Sequence, residues 1–142
     1  MRNSAKCVQR VWLAVTSIAA LSLSAAAFAE ETKSVSPASI TAAELAERIE
    51  LEKAPVILDV RSEEEFTESH IPGAVNIPHD QLEGRLSEIP AAKTEEIVVH
   101  CQSGRRAGMA ETVLIEAGYS DIRDLDGHMQ GWRQGGYPIQ KP

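Results

Sequence analysis

"EIVVHCQSGRRAGMAETVLIEAG", residues 96–118, decides the fold. Its first five residues, "EIVVH", carry a short apolar run of β-branched side chains without alternation, which reads as a strand buried on both faces. The segment 105 to 117 reads as a helix closed by Gly118, a residue suited to the C-cap. A strand that passes through a four-residue loop into a helix is the opening half of a βαβ unit, and such units build parallel sheets.

The same alternation continues on either side. Upstream, "VILDV", 56 to 60, is a second buried strand. It is preceded by a helix carrying Leu45 and Ile49, with Thr41 and Glu44 as its capping box and Pro55 closing the connection. Ser62 and Glu65 make another capping box for a short acidic helix to about Ser69, after which Pro72-Gly73 turns the chain into a short strand from Ala74 to Ile77. Asp80 reads as the cap of a helix through Leu82 and Leu86. Downstream, "IRDL" is the last strand and "HMQGWRQGGYP" a short helix with a Gly-Pro exit. The class is therefore α/β: a single domain whose central, mainly parallel sheet is flanked by helices on both faces. Ligands of such sheets bind outside the carboxyl ends of the strands, and Cys101 sits at one of those ends.

Composition agrees with a single globular domain, at 142 residues with 43% apolar and 25% charged side chains. Residues 1–29 differ from the rest. Arg2, Lys6 and Arg10 precede the apolar to small stretch "VWLAVTSIAALSLSAAAF", and Ala27-Phe28-Ala29 fits a signal-peptide cleavage site. The stretch from Val11 to Phe28 is nearly long enough for a membrane anchor, but Thr16, Ser17, Ser22, Ser24 and its small-residue end favour cleavage. We expect a mature chain from Glu30 that is periplasmic or secreted and keeps no stable membrane association. Residues 30–39 then read as a flexible lead-in and 40–142 as the domain.

Cleavage leaves 11 basic residues against 21 acids, a net charge of −10, which argues against nucleic acid as a partner. It also removes Cys7, so Cys101 would be a lone thiol in an oxidising compartment, reactive or intermolecular in character.

Position supplies a reason for that cysteine. Backbone N–H groups at the start of a helix lack intrahelical partners and converge on what precedes them, so a thiolate at Cys101 is favoured. Arg105 and Arg106 stand where the helix dipole prefers acids. A local rule broken at that place suits a site that binds an anion. A buried core thiol is the ordinary reading of an isolated cysteine after "VVH", and Gly104 with the arginine pair weighs against it here.

"CQSGRR", 101 to 106, resembles the C-x-x-G-x-R active loop of rhodanese-like sulfurtransferases. "LDVRSEEEFTESHIPGAVNIP", 58 to 78, resembles that family's D-V-R, E-F and H-I-P-G-A-x-N-I-P signature, and "AGYSDIRDLDGHMQGWRQGGYPI", 117 to 139, its closing elements. The resemblance spans about residues 40 to 140. It implies a sulfur relay in which Cys101 takes the outer sulfur of thiosulfate or a similar anionic donor, carries it as a persulfide, and passes it to a thiol, cyanide or a protein thiol. Gln102, Ser103, Gly104, Arg105, Arg106 and Ala107 would form the substrate-binding loop, with Arg106 as its closing arginine and Arg105 helping to bind the donor. No cofactor is implied. His128 departs from the pattern, which has a second glycine after Gly127, and reads as a solvent-facing residue at a helix start.

Two other functions stay in view. A phosphatase or arsenate reductase of related architecture uses a C-x5-R loop to fit a tetrahedral oxyanion, whereas Ala107, not arginine, lies six residues past Cys101. A non-enzymatic persulfide carrier or binding module could use the same loop. Asp59 and Arg61 read as a structural ion pair, the "HIPGA" turn with His70 as architecture, and Trp132 as core. His79 and His100 lack metal-ligand spacing with Cys101, so no metal is expected.

Overall fold

The computed structural model describes residues 37–141. The expected signal segment 1–29 and most of the expected lead-in, residues 30–36, lie outside the described residues.

Five strands form one wholly parallel sheet in the order β1-β5-β4-β2-β3. They are β1 (Ala38–Ile40), β2 (Val56–Asp59), β3 (Val75–Asn76), β4 (Glu96–His100) and β5 (Asp121–Leu125), interleaved with helices α1 (Ala42–Glu50), α2 (Glu63–Glu68), α3 (Arg105–Glu116) and α4 (His128–Gln134). Alternate residues of β2 and β4 enter two separate cores. Leu58, Ile97 and Val99 pack with Ala107, Ala110 and Leu114 of α3, while Ile57 and Val98 pack with Leu45 of α1 and Met129 and Trp132 of α4. Both faces of the central strands are covered, which is why they read as unbroken apolar runs. Trp132 is fully buried, and its indole N–H donates to the Pro138 carbonyl at 2.7 Å.

Local chemistry sets the helix ends. Ser62 and Glu65 close the expected capping box of α2, and Thr41 accepts from the Glu44 amide at the start of α1. Gly118, at φ +89°, follows α3 in the left-handed region, as a C-terminal glycine does.

Two expectations are corrected. Ala38 and Ser39, the end of the expected flexible lead-in, belong to edge strand β1, paired with Arg123 and Asp124. The helix expected behind an Asp80 cap is a 3-10 helix, Leu82–Glu88, that starts after Gln81 without a side-chain cap and kinks at Arg85. Its sequence holds Gly84, a poor helix former, beside the kink.

The topology opens a crevice at the carboxyl ends of β2 and β4. From β2 the chain moves outward to β3, and from β4 it moves the other way to β5, so the segments leaving these neighbouring strands part. Asp59 and Arg61 stiffen one side of the opening. Both are buried, the Arg61 guanidinium donates to the Asp59 carboxylate at 2.6 Å and to the Ser69 carbonyl at 2.8 Å, and Asn76 donates to the carbonyls of both residues. The pair has the structural role expected of it.

Candidate active site

Cys101 follows the last residue of β4 and points to the α3 face, where it is 1% exposed. The chain then makes a tight turn. Gly104 adopts φ +110°, which a side chain resists, and brings its amide to 3.1 Å from Cys101 Sγ. This is the hydrogen bond to that sulfur among the described residues. Gly104 is also the N-cap of α3, a helix of 12 residues, and offers no side chain to its first turn. The first-turn amides of Arg105, Arg106 and Ala107 are therefore left without intrahelical partners beside the thiol.

A second helix fixes the other side of the loop. At the start of α4, the amide of Met129 donates to the Cys101 carbonyl at 3.0 Å and that of Gln130 to the Gln102 carbonyl at 3.1 Å. Two donors with no partner inside α4 thus satisfy two loop carbonyls, and the loop is clamped between helix N-termini.

The expected site residues share this loop but differ in what they face. Gln102 and Gly104 are half-buried, Ser103 and Arg105 are exposed, and Ala107 packs into the core, leaving its backbone as its contribution to the site. Arg105 makes no ion pair among the described residues. Arg106 is committed to Glu65, its guanidinium nitrogens lying 2.5 and 2.9 Å from the carboxylate. The hydrogen bond to Arg106 is the main cause that holds Glu65 down to about 2, against the opposing effect of burial. The same pair raises Arg106, with the Cys101 sulfur adding a smaller push in the same direction. Arg106 therefore stands beside the sulfur while joining α3 to α2.

A cleft of about 220 Å³ opens next to Arg106, with Glu63, Glu64 and Asp80 among its lining residues. Three carboxylates, one of them 3.8 Å from Arg85, and one paired guanidinium make this wall acidic. Arg105 is a loop cation without an ion pair among the described residues.

His128 is where the sequence reading needs correcting most. Expected to face solvent, it is 7% exposed. Its backbone is left-handed at φ +49°, turning the imidazole onto Gly104, where a methyl group in place of the glycine hydrogen would meet Nε2 at 2.7 Å. Gly104 is thus required twice, by its own backbone and by this ring. Behind the ring stand Asp124 of β5, with Oδ1 3.6 Å from His128 Nδ1, and Glu111 of α3. Glu111 is absent from the residues expected at the site, yet it carries a signal in the sequence: an acid among Ala107, Ala110 and Leu114 on the buried stripe of a helix. Glu65 reads from sequence as a cap only, since its second partner is 41 residues away.

Comparison with known proteins places the chain. The family model described as rhodanese-like domain matches residues 41–135. A sulfurtransferase of Allochromatium vinosum is 32% identical over 98 residues, covering 69% of this chain and 90% of that protein. Thiosulfate sulfurtransferase PspE of Escherichia coli is 33% identical over 70 residues, covering 49% of this chain and 67% of that protein. Among solved structures, a rhodanese-related protein from Thermoplasma volcanium superposes with a TM-score of 0.65 at 32% identity, covering 74% of this chain and 99% of that one.

Proposed function

The chain belongs to the rhodanese-like domain family, and from that premise we propose that it moves sulfane sulfur from thiosulfate, or a similar anionic donor, to a thiophilic acceptor through a persulfide on Cys101. The reaction class, sulfur transfer, is that of its sulfurtransferase relatives. The observation that carries the finer reading is the Cys101 sulfur set at the N-terminus of α3 with the Gly104 amide 3.1 Å away.

In the proposed cycle the Cys101 thiolate attacks the outer sulfur of thiosulfate. The S–S bond of the donor breaks, and sulfite leaves with its electron pair. The new persulfide anion lies among the first-turn amides of α3, which favour negative charge without reorganising. Cyanide or a thiolate then attacks the outer sulfur, and the Cys101 thiolate is the leaving group. Arg105 draws the donor anion towards the loop, and Arg106, held by Glu65, keeps a positive charge beside the sulfur. The C-x4-R spacing makes a loop smaller than the one phosphatases use. The expected signal at residues 1–29 would put this chemistry in the periplasm or outside the cell.

Turnover of thiosulfate with cyanide tests the proposal, with aryl phosphate as the competing substrate. We expect thiocyanate from the wild type, none from Cys101→Ser, and no appreciable phosphate release from either. Robust phosphatase activity would overturn the reading. A single stoichiometric uptake of sulfur without turnover would replace an enzyme by a carrier.

A further inference from the structure

Four titratable side chains converge on the catalytic loop without entering the relay described above. Glu111 from α3, Asp124 from the end of β5, His128 from the start of α4 and His100 from β4 are buried or half-buried within one region of the fold. Glu111 Oε1, Asp124 Oδ1, His128 Nδ1 and His100 Nε2 are all shielded from solvent and lack hydrogen-bond partners. Polar atoms left in this way are costly, so an arrangement that keeps them calls for a use. His100 has one already, 3.7 Å from the Asp59 carboxylate, and burial favours its neutral form. Asp124 and His128 form a line that ends on Gly104, the residue whose amide holds the Cys101 sulfur, and Glu111 is near enough to Asp124 to feel its charge.

We propose that His128 is a positioning residue for sulfur transfer, its imidazole packed on Gly104 and backed by the carboxyl groups of Asp124 and Glu111, so that the charge on that carboxyl pair is felt at the loop through the ring. The role rests on Cys101 being the nucleophile. Geometry gives His128 its duty. Its ring closes the space over Gly104, holding the amide on the sulfur.

The carboxyl pair behind the ring changes its own charge with pH. Burial first, and then the charge of Asp124, push Glu111 up to about 7, and burial likewise raises Asp124. One proton shared between facing carboxyls would also supply a donor to oxygens that otherwise lack one. As pH rises through neutrality the pair loses that proton, and the added negative charge strengthens the hold of Asp124 Oδ1 on the Nδ1 edge of the ring 3.6 Å away. Asp126, in the turn before α4, adds a smaller push in the opposite sense by disfavouring the charge on Asp124. Among the described residues, Asp124 lies 3.6 Å from His128 Nδ1, and His128 is close enough to His100 of β4 to disfavour its charge.

Alkylation of Cys101 by iodoacetamide, followed at its peptide by mass across about pH 5 to 9, tests this without any sulfur donor. In the full chain, His128→Gln keeps a polar side chain over Gly104 but loses the ring. It should alkylate about tenfold more slowly than the wild type near pH 7 and follow a single smooth titration. Glu111→Gln, which leaves the contact of His128 with Gly104 in place, should remove the wild-type inflection near neutrality while leaving the thermal midpoint level or higher. A pH profile for His128→Gln or Glu111→Gln that superimposes on that of the wild type would overturn the proposal and leave His128 a packing residue. Because alkylation needs no thiosulfate, failure of sulfur loading with normal alkylation counts against the proposed donor alone.

Discussion

Arg106 and Glu65 join the catalytic loop to α2, and a double-mutant cycle on them measures how firmly. The contact is bidentate, at 2.5 and 2.9 Å, with side chains 27% and 33% exposed. Glu65 is held down to about 2 from 4.5. A depression of that size corresponds to roughly 3 kcal/mol for a shielded pair. About a third of each side chain meets water, so screening reduces this to about 1 kcal/mol. A carboxyl depressed by folding contributes stability that is present above about pH 4.5 and lost as pH falls towards 2. Urea unfolding of wild type, Arg106→Ala, Glu65→Gln and the double variant should show a coupling of about 1 kcal/mol near pH 7, falling to less than half near pH 3. Glutamine retains a side-chain acceptor for the Ser62 amide, so the capping box is not the quantity measured. A coupling below about 0.3 kcal/mol near pH 7, or one unchanged in acid, would refute the claim that this pair ties the loop to the domain.

Three further outcomes are expected. Arg105→Ala should leave stability level or raise it by a few tenths of a kcal/mol, because a cation at a helix start is relieved; it should slow sulfur loading at low thiosulfate roughly tenfold to hundredfold. Thermal midpoint and loading rate on the same sample check both parts. Gly104→Ala should cost about 2 kcal/mol or more in unfolding experiments, since it places a methyl against His128 Nε2 in a left-handed backbone, and should lose sulfur loading with the displaced amide. Glu111, raised to about 7, contributes stability that is present below about pH 4.5 and lost as pH rises through 7; Glu111→Gln should remove that decline and stand about 1 kcal/mol above the wild type near pH 8 by thermal melting.

What could be read from the chain follows its local physics. Strands β2 and β4 announce themselves because both faces are buried, leaving continuous apolar runs with little else to say. A capping box places α2, the N-cap of Thr41 places α1 although the Glu44 carboxylate goes to Arg48 and does not complete a box, and Gly118 closes α3. Strand β1 does not show, because Ala38 and Ser39 are exposed on an edge and Ile40 alone is buried. The segment behind Asp80 carries helical spacing at Leu82 and Leu86 but kinks at Arg85 into 3-10 geometry. In the candidate site, the loop and Cys101 are legible because the backbone passes from strand to helix there. The partners of the loop are not. Glu65 reaches Arg106 across 41 residues, and the burial of His128 depends on a left-handed backbone at a non-glycine position, which spacing alone does not disclose.

Intact mass of the protein after exposure to thiosulfate tests the central claim most directly. The account predicts that wild-type protein gains one sulfur atom on the peptide containing Cys101, that cyanide removes it, and that Cys101→Ser gains none. No added sulfur on wild-type protein, or a gain that persists in Cys101→Ser, would contradict a relay through this cysteine.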